Sequence, residues 1–236
     1  MREHYFPAFL DLRGRSCVVI GGGAVARGKV LGLLPCGARV RVVSPEVHRD
    51  LGRLAGRGTI GWERRAYRPG DLAGAFLAVA ATDDPALNEA VYDEALRERA
   101  LVNVVDVPDR CQFVYGAVMR RGRLLAAIST GGAAPAHAAR LRRELSAFWG
   151  PEQGQLVSAY RRLRPYVMER IATVEARKRF WLDLVRRNPA LEFLASHRAR
   201  DADALLRAEA DRFAAAEGLP HPAAEAGAAV PAGRQG

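Results

Sequence analysis

Along the first hundred residues, short apolar runs alternate with stretches whose apolar positions recur every three or four residues. The runs near 16–21, 38–44, 59–64, 75–81 and 101–105 read as strands, and the periodic stretches near 24–35, 46–56 and 85–99 as helices. Regular alternation of strand and helix predicts a parallel sheet joined by right-handed crossovers. Asp83-Asp84-Pro85 supplies an N-cap region and a proline suited to the first turn of the third helix.

After Asp106 the pattern changes. Residues 112–118 and 123–129 read as two strands joined through Arg120-Arg121-Gly122, a hairpin-like second unit. A helix is expected over 136–148. The segment 151–217 reads as wholly helical, in amphipathic pieces broken near Pro165 and Asn188-Pro189. From about Gly218 the chain is rich in Ala, Gly and Pro and reads as disordered. The expected class is α/β. A Rossmann-like parallel sheet occupies 1–111, a small central α+β region 112–148, a helical domain 149–217 and a tail 218–236.

The stretch Ser16-Cys17-Val18-Val19-Ile20-Gly21-Gly22-Gly23-Ala24-Val25-Ala26 carries the first chemistry, since a β-branched run ends in glycines and opens a helix. That order suits a dinucleotide. Gly21 permits the tight turn, Gly23 lets backbone approach a pyrophosphate, and Ala26 allows close helix–strand packing. Gly21, Gly23, Ala24 and Val25 are therefore assigned to the pyrophosphate, which the helix N-terminus attracts. The second strand ends Val43-Ser44-Pro45-Glu46, without an acid at its tip to grip the adenosine ribose, and nearby Arg39, Arg41 and Arg49 leave NADP open beside NAD. Thr82 and Asp83, at another strand end, are placed toward the nicotinamide. Asp83 reads equally well as a helix cap.

Asp106 is the principal catalytic candidate. It follows the C-terminal end of a strand, where ligands of open α/β sheets collect, and a carboxylate there can take a proton. The alternative is a loop cap ahead of a proline-containing turn. Asn103 either positions the same site or merely ends the strand. Thr130-Gly131-Gly132 offers backbone N–H groups as a seat for substrate carboxylates, or is a plain turn into the next helix.

Bulk properties narrow the setting. The 236 residues are 49% hydrophobic, with no apolar run approaching a membrane span and no apolar core of a secretory signal at the start. The three cysteines are odd in number and widely spaced, which suits the reducing cytoplasm, and the five scattered histidines form no metal-ligand pair. No metal site is expected. The net charge of +10 calls for an anionic partner, yet the arginine clusters at 140–143, 161–164 and 177–179 come without a nucleic-acid motif or interleaved aromatics. A polycarboxylate small molecule answers the same field, as would solvated helix faces.

Further motifs follow in order: Phe6-Pro7-Ala8-Phe9-Leu10-Asp11-Leu12, the glycine turn with Lys29, Ala80-Ala81-Thr82-Asp83-Asp84 with Leu87-Asn88, Asn103-Val104-Val105-Asp106 with Pro108 and Cys111-Gln112-Phe113, and Ile128-Ser129-Thr130-Gly131-Gly132. This succession resembles the precorrin-2 dehydrogenase family, which includes the dehydrogenase/ferrochelatase half of siroheme synthases. The resemblance covers roughly residues 5–215, including Arg179-Phe180-Trp181. It implies NAD-dependent oxidation of precorrin-2 to sirohydrochlorin and, in many members, insertion of ferrous iron, with Fe²⁺ or Co²⁺ as substrate. It also implies a homodimer held by the central region. NAD binding falls to the residues matching Pro45 and Glu46, and the matching aspartate, Asp106, serves both reactions. Arg140, with Arg142 and Arg143, is expected to bind substrate carboxylates. At this length the chain is expected to lack the methyltransferase domain fused in some members, with uroporphyrinogen methylation expected of another protein. Gly116, Ala134 and His137 stand where the family often has proline, serine and leucine. His137 either lies at the surface of a helix start or approaches a tetrapyrrole metal. Two rivals remain: an NAD(H)-binding redox-sensing regulator, which would need a DNA-reading module, and a chelatase-only paralogue, against which the intact glycine turn counts.

Overall fold

The computed structural model describes residues 5–219; His4, His221 and the tail expected beyond Leu219 lie outside them. Contacts divide these residues into two units, 5–115 with 130–134, and 116–129 with 135–219. The hairpin and the C-terminal helices thus share one unit, where the sequence suggested two regions divided at 148–149.

The first unit is a five-stranded, all-parallel sheet in the order β3-β2-β1-β4-β5. Its strands are β1 (Ser16–Ile20), β2 (Arg39–Val43), β3 (Gly61–Glu63), β4 (Leu77–Ala80) and β5 (Leu101–Val104). Val19 pairs with Val42 on one side and Val79 on the other. Both faces are buried, as a parallel sheet requires. The helices α1 (Ala24–Leu33) and α2 (Arg49–Gly56) cover Val19, Val42 and Val79, while α3 (Pro85–Arg97) covers Val18, Ala78 and Val102. The strand order reverses between β1 and β4, and at such a switch the loops beyond the strands splay apart into a crevice.

Two expected elements are shorter than their pattern. The 59–64 strand pairs only over Gly61–Glu63, at the sheet's edge. Helix α2 begins at Arg49 and not at Glu46. The His48 N–H donates to the Gly22 carbonyl (2.7 Å), and the His48 ring accepts from Asp50 N–H (3.1 Å) as the cap. Residues 45–47 are thereby held as a loop against the glycine turn.

The 64–72 segment between β3 and β4 has no ladder and is fastened by two carboxylates. Asp71 accepts two bonds from the Arg65 guanidinium (2.7 and 2.8 Å) and one from Arg68 N–H (2.8 Å). Buried Glu94 of α3 accepts from Leu72 N–H (2.6 Å), Gly70 N–H (3.1 Å) and the Tyr67 hydroxyl.

In the second unit, β6 (Ala117–Arg121) and β7 (Leu124–Ile128) pair antiparallel, with Arg121 opposite Leu124. The turn is therefore Gly122-Arg123 and not Arg120-Arg121-Gly122. Gly122 has φ +55° in the first turn position, where two-residue hairpins need a left-handed residue. The strand expected from Gln112 starts at Ala117, because β5 captures the preceding segment. Gln112 N–H donates to Val102 O (2.8 Å), and the Asn103 amide donates to Phe113 O (2.9 Å).

Five helices follow: α4 (Pro135–Phe148), α5 (Pro151–Arg170), α6 (Val174–Arg187), α7 (Leu191–Ala195) and α8 (Ala199–Ala216). The expected break at Pro165 is absent. Pro165 lies on the exposed side of α5, where water can bond the carbonyl it leaves free, while Leu156, Ala159, Leu163 and Val167 hold the opposite side in the core. The break comes after Arg170, and Thr173 caps α6 by accepting from Ala176 N–H (3.2 Å). Asn188, left-handed at φ +48°, ends α6 as the sequence suggested. Many arginines that set the net charge tie these helices together. Arg162 pairs with Asp203 (2.8 Å), Arg187 with Glu209 (2.7 Å), and Arg177 donates to the carbonyls of Ile171 and Ala172 (both 2.7 Å). Among the described residues no helix is long and apolar enough to cross a membrane.

Glu94→Ala strands the buried Leu72 and Gly70 N–H groups and is expected to lower unfolding free energy by about 2–3 kcal/mol in urea titrations. The Arg65 bond, against the opposing effect of burial, holds the Asp71 carboxyl below its ordinary value. Its contribution is therefore present at neutral pH and is lost as acid protonates it, below about pH 4. Asp71→Asn should accordingly destabilise the protein at pH 7 but much less at pH 3, in parallel melts.

Candidate functional site

At the carboxyl edge of the sheet, over the β1/β4 switch, lies a cavity of about 710 Å³. That size falls within the usual range for small-molecule sites, about 300–1,000 Å³. Its floor is the β1–α1 turn, Gly21 to Val25. Its sides are Val43, Ser44 and Pro45 after β2, Ala66 and Tyr67 from the carboxylate-fastened segment, Ala81 to Asp83 after β4 with Leu87 of α3, and Val105 and Asp106 after β5.

The turn is packed to its limit. A Cβ on Gly21, whose φ is +110°, would stand 2.1 Å from the Ala81 carbonyl oxygen, and one on Gly22 would stand 2.0 Å from that of Glu46. Gly23 has nothing within 4 Å of such an atom. Backbone crowding thus falls on Gly21 and Gly22, and Gly23 is the glycine that opens toward a ligand. The role of Gly22 was not foreseen; a triplet where the fingerprint asks for alternate glycines was its only sign. Helix α1 starts without a side-chain cap or an acid in its first turn, so its leading N–H groups and positive dipole end are available to an anion. An open cradle with unclaimed donors fits a pyrophosphate.

At the β2 tip, the Ser44 hydroxyl donates to the Glu46 carbonyl (2.6 Å), and the Trp62 indole donates to that of Ser44 (2.9 Å). Ser44 and Pro45 line the cavity, whereas the exposed Glu46 side chain is not among its walls. Arg39 is bonded to Gly14 O (2.9 Å) and Arg41 to Asp71 O, leaving Arg49 of the three without a bonded partner among the described residues. After β4, the cap of α3 is Asp84, which accepts from Ala86 N–H (2.9 Å) and Leu87 N–H (3.2 Å). Asp83 is thereby left to the cavity. The Thr82 hydroxyl donates to Asn88 Oδ1 (2.8 Å), whose amide returns a bond to Thr82 O (3.0 Å), so Thr82 shapes the wall through a fixed side chain.

Asp106 sits at the rim with φ +60°. Val107 N–H closes onto Val104 O (3.2 Å), which places Asp106 third in a β-turn, the left-handed position that glycine or asparagine usually fills. An aspartate there carries strain of about 1 kcal/mol. The turn is braced from beneath. The buried Cys111 thiol lies 3.1 Å from Val104 O and 3.4 Å from Val107 O, and Asn103 donates to Cys111 Sγ (3.2 Å). Asn103 is thus buried below the turn and does not line the cavity. Thr130 accepts from Ala134 N–H (3.1 Å) in its own turn, also outside the lining. Gly131 shares that turn with φ +63°. Arg140 and His137 are exposed on α4 in the second unit, where Arg140 pairs with Glu144 (3.0 Å). Among the described residues no three His, Cys, Asp or Glu side chains converge as a metal site.

Known proteins match both units. A family described as NAD(P)-binding matches residues 8–117, and the sirohaem synthase dimerisation region matches 152–209. The chain is 35% identical to the siroheme synthase of Actinobacillus pleuropneumoniae serotype 3 over 206 residues, 87% of this chain and 42% of that one. It is 38% identical to that of Methylococcus capsulatus over 213 residues, 90% and 45% of the two chains. It therefore spans about two-fifths of the length of the curated relatives it matches. The solved structure of SirC, precorrin-2 dehydrogenase, superposes with a TM-score of 0.70 at 26% identity, covering 86% of this chain and 98% of that one. With the glycine cradle, the ordered motifs and both matched regions in agreement, the chain belongs to the family that includes the siroheme synthases and SirC.

Proposed function

We propose that the protein is an NAD-dependent dehydrogenase that oxidises precorrin-2 to sirohydrochlorin, with Asp106 as its proton-accepting carboxylate. The observation that carries this reading is a strained aspartate at the rim of the cavity whose floor is an uncapped, glycine-lined helix start. A bound nicotinamide supplies the hydride acceptor. The chain does the rest: Gly23, Ala24 and Val25 receive the pyrophosphate, Thr82 and Asp83 face the nicotinamide side, and Asp106 takes the proton that leaves with the hydride. The turn holds Asp106 in a conformation that local energetics disfavour, so its direction is set in advance of binding.

NAD is the preferred dinucleotide. Arg39 and Arg41 are bonded elsewhere, which leaves Arg49 alone of the three to grip a 2′-phosphate, and the exposed Glu46 is assigned to the ribose hydroxyls. Thr130, Gly131, Arg140 and Asn103 are assigned to the substrate side, Asn103 through the turn it braces. The same carboxylate can receive pyrrole protons as Fe²⁺ or Co²⁺ enters sirohydrochlorin, the metal being substrate. The protein works as a cytoplasmic homodimer. Supporting this, α6 lies within the matched dimerisation region and exposes Val174, Leu182 and Val185 on one side. The regulator reading is weakened because Arg162, Arg177 and Arg179, from the clusters it needs, are bonded to Asp203, to backbone carbonyls and to Glu217.

Asp106→Asn, which tolerates the left-handed turn, should leave the melting temperature unchanged and reduce precorrin-2 oxidation by about 10²–10⁴-fold. Asp106→Gly should be equally inactive yet more stable by about 0.5–1 kcal/mol. Near-normal turnover of the Asn variant would reduce Asp106 to a turn residue. In calorimetric titrations NAD should bind at least about tenfold more tightly than NADP, a difference of about 1.4 kcal/mol. Equal affinities would remove the assignment at the β2 tip.

A further inference from the structure

The two ends of the cavity differ in chemistry. The sheet order puts β2 and β3 on one side of the glycine turn and β4 and β5 on the other. Beyond β4 and β5 stand two carboxylates, Asp83 and Asp106. Beyond β2 and β3 the walls are Val43, Ser44, Pro45, Ala66 and Tyr67. Tyr67 is the one aromatic side chain among the described residues that line the cavity. The sequence signal was faint: a single aromatic within the arginine-rich loop Arg64-Arg65-Ala66-Tyr67-Arg68.

This residue is tied at both ends. Next along the backbone, Arg68 N–H donates to Asp71 (2.8 Å), and the Tyr67 hydroxyl donates to the carboxylate of Glu94. Glu94 is itself buried on α3 and held by the N–H groups of Gly70 and Leu72. Half-buried, Tyr67 packs against the core cluster on the α3 side of the sheet while it lines the cavity. Burial, together with the Glu94 bond, holds the hydroxyl well above its ordinary value, so it stays a donor to Glu94 and is no proton source for chemistry. What it offers a ligand is an aromatic surface in a preset orientation. A dinucleotide whose pyrophosphate rests on the β1–α1 turn has a nucleoside for each end, and the adenosine ribose belongs at the tip of β2. A purine there meets a ring whose direction no longer has to be fixed on binding.

Building on the dinucleotide part of the dehydrogenase reading, we propose that Tyr67 is a specificity-determining residue for the cofactor: its ring, anchored by Glu94, is the surface on which the adenine base stacks. Calorimetric titrations with ADP and with UDP test it, since the two share ribose and phosphates and differ in the base. In Tyr67→Leu, which keeps apolar bulk but has no π face, ADP affinity should fall by about tenfold and UDP affinity by less than about threefold. Tyr67→Phe keeps the ring and loses the anchor, and should stay within about threefold of the wild type for ADP. A wall merely loosened by the substitution would weaken both nucleotides alike. That result, or an unchanged ADP affinity, overturns the proposal. Should Tyr67→Leu fail to fold, ring-labelled tyrosine decides in the wild-type protein. ADP must then move the Tyr67 ring signals, assigned through Tyr67→Phe, upfield; signals that stay in place refute the stack. A wild-type protein that binds NAD and ADP but leaves precorrin-2 unoxidised sinks the dehydrogenase reading alone, and the same titrations still decide Tyr67. A wild-type protein that binds neither sinks both.

Discussion

Two carbonyl oxygens pressed against two glycines are the constraint on which the rest of the site depends. The Ala81 and Glu46 carbonyls occupy the space where side chains of Gly21 and Gly22 would be. Because they do, the loops after β2 and β4 close onto the β1–α1 turn, and the end of each strand reaches the same cavity. A methyl group at either position would push one wall outward. The parallel sheet supplies the directions, since all five strands end at one edge. The glycines set the distances.

Part of the protein's arginine serves as architecture. Its helices are bound by Arg162–Asp203, Arg187–Glu209 and Arg170–Asp211, and Arg177 closes the carbonyls at the end of α5. Exposed pairs of this kind contribute little singly, while those with a buried member, such as Glu209 and Arg170, cost much to break. Each such pair removes one cation and one acid together, so the surplus of +10 lies outside these pairs.

Most of the sheet was legible from its β-branched runs, because a strand buried on both faces leaves few residue choices. The misses have physical causes. Residues 112–116 look like a strand, but β5 claims their hydrogen bonds through Gln112 N–H and the Asn103 amide, which periodicity cannot register. Pro165 looks like a break, but it faces solvent on a helix whose other side is locked into the core. In the site, the glycine turn and Asp106 could be read directly. The left-handed turn of Asp106 could not, nor could the division of labour between Asp83 and Asp84, where one carboxylate caps and the other faces the cavity. Asn103, Thr130 and Arg140 carry the right chemistry for a substrate, but their placement depends on side-chain directions that spacing does not encode.

The wall carrying Ala66 and Tyr67 differs in kind from the others. Three walls grow out of strands and share their ladders, whereas this one is fastened by carboxylate side chains, Asp71 within it and Glu94 from the neighbouring helix. Fasteners of that sort release as a group and leave the ladders intact. Exchange at the amides of Arg68, Gly70 and Leu72 would thus report on the Asp71 and Glu94 carboxylates and not on any strand.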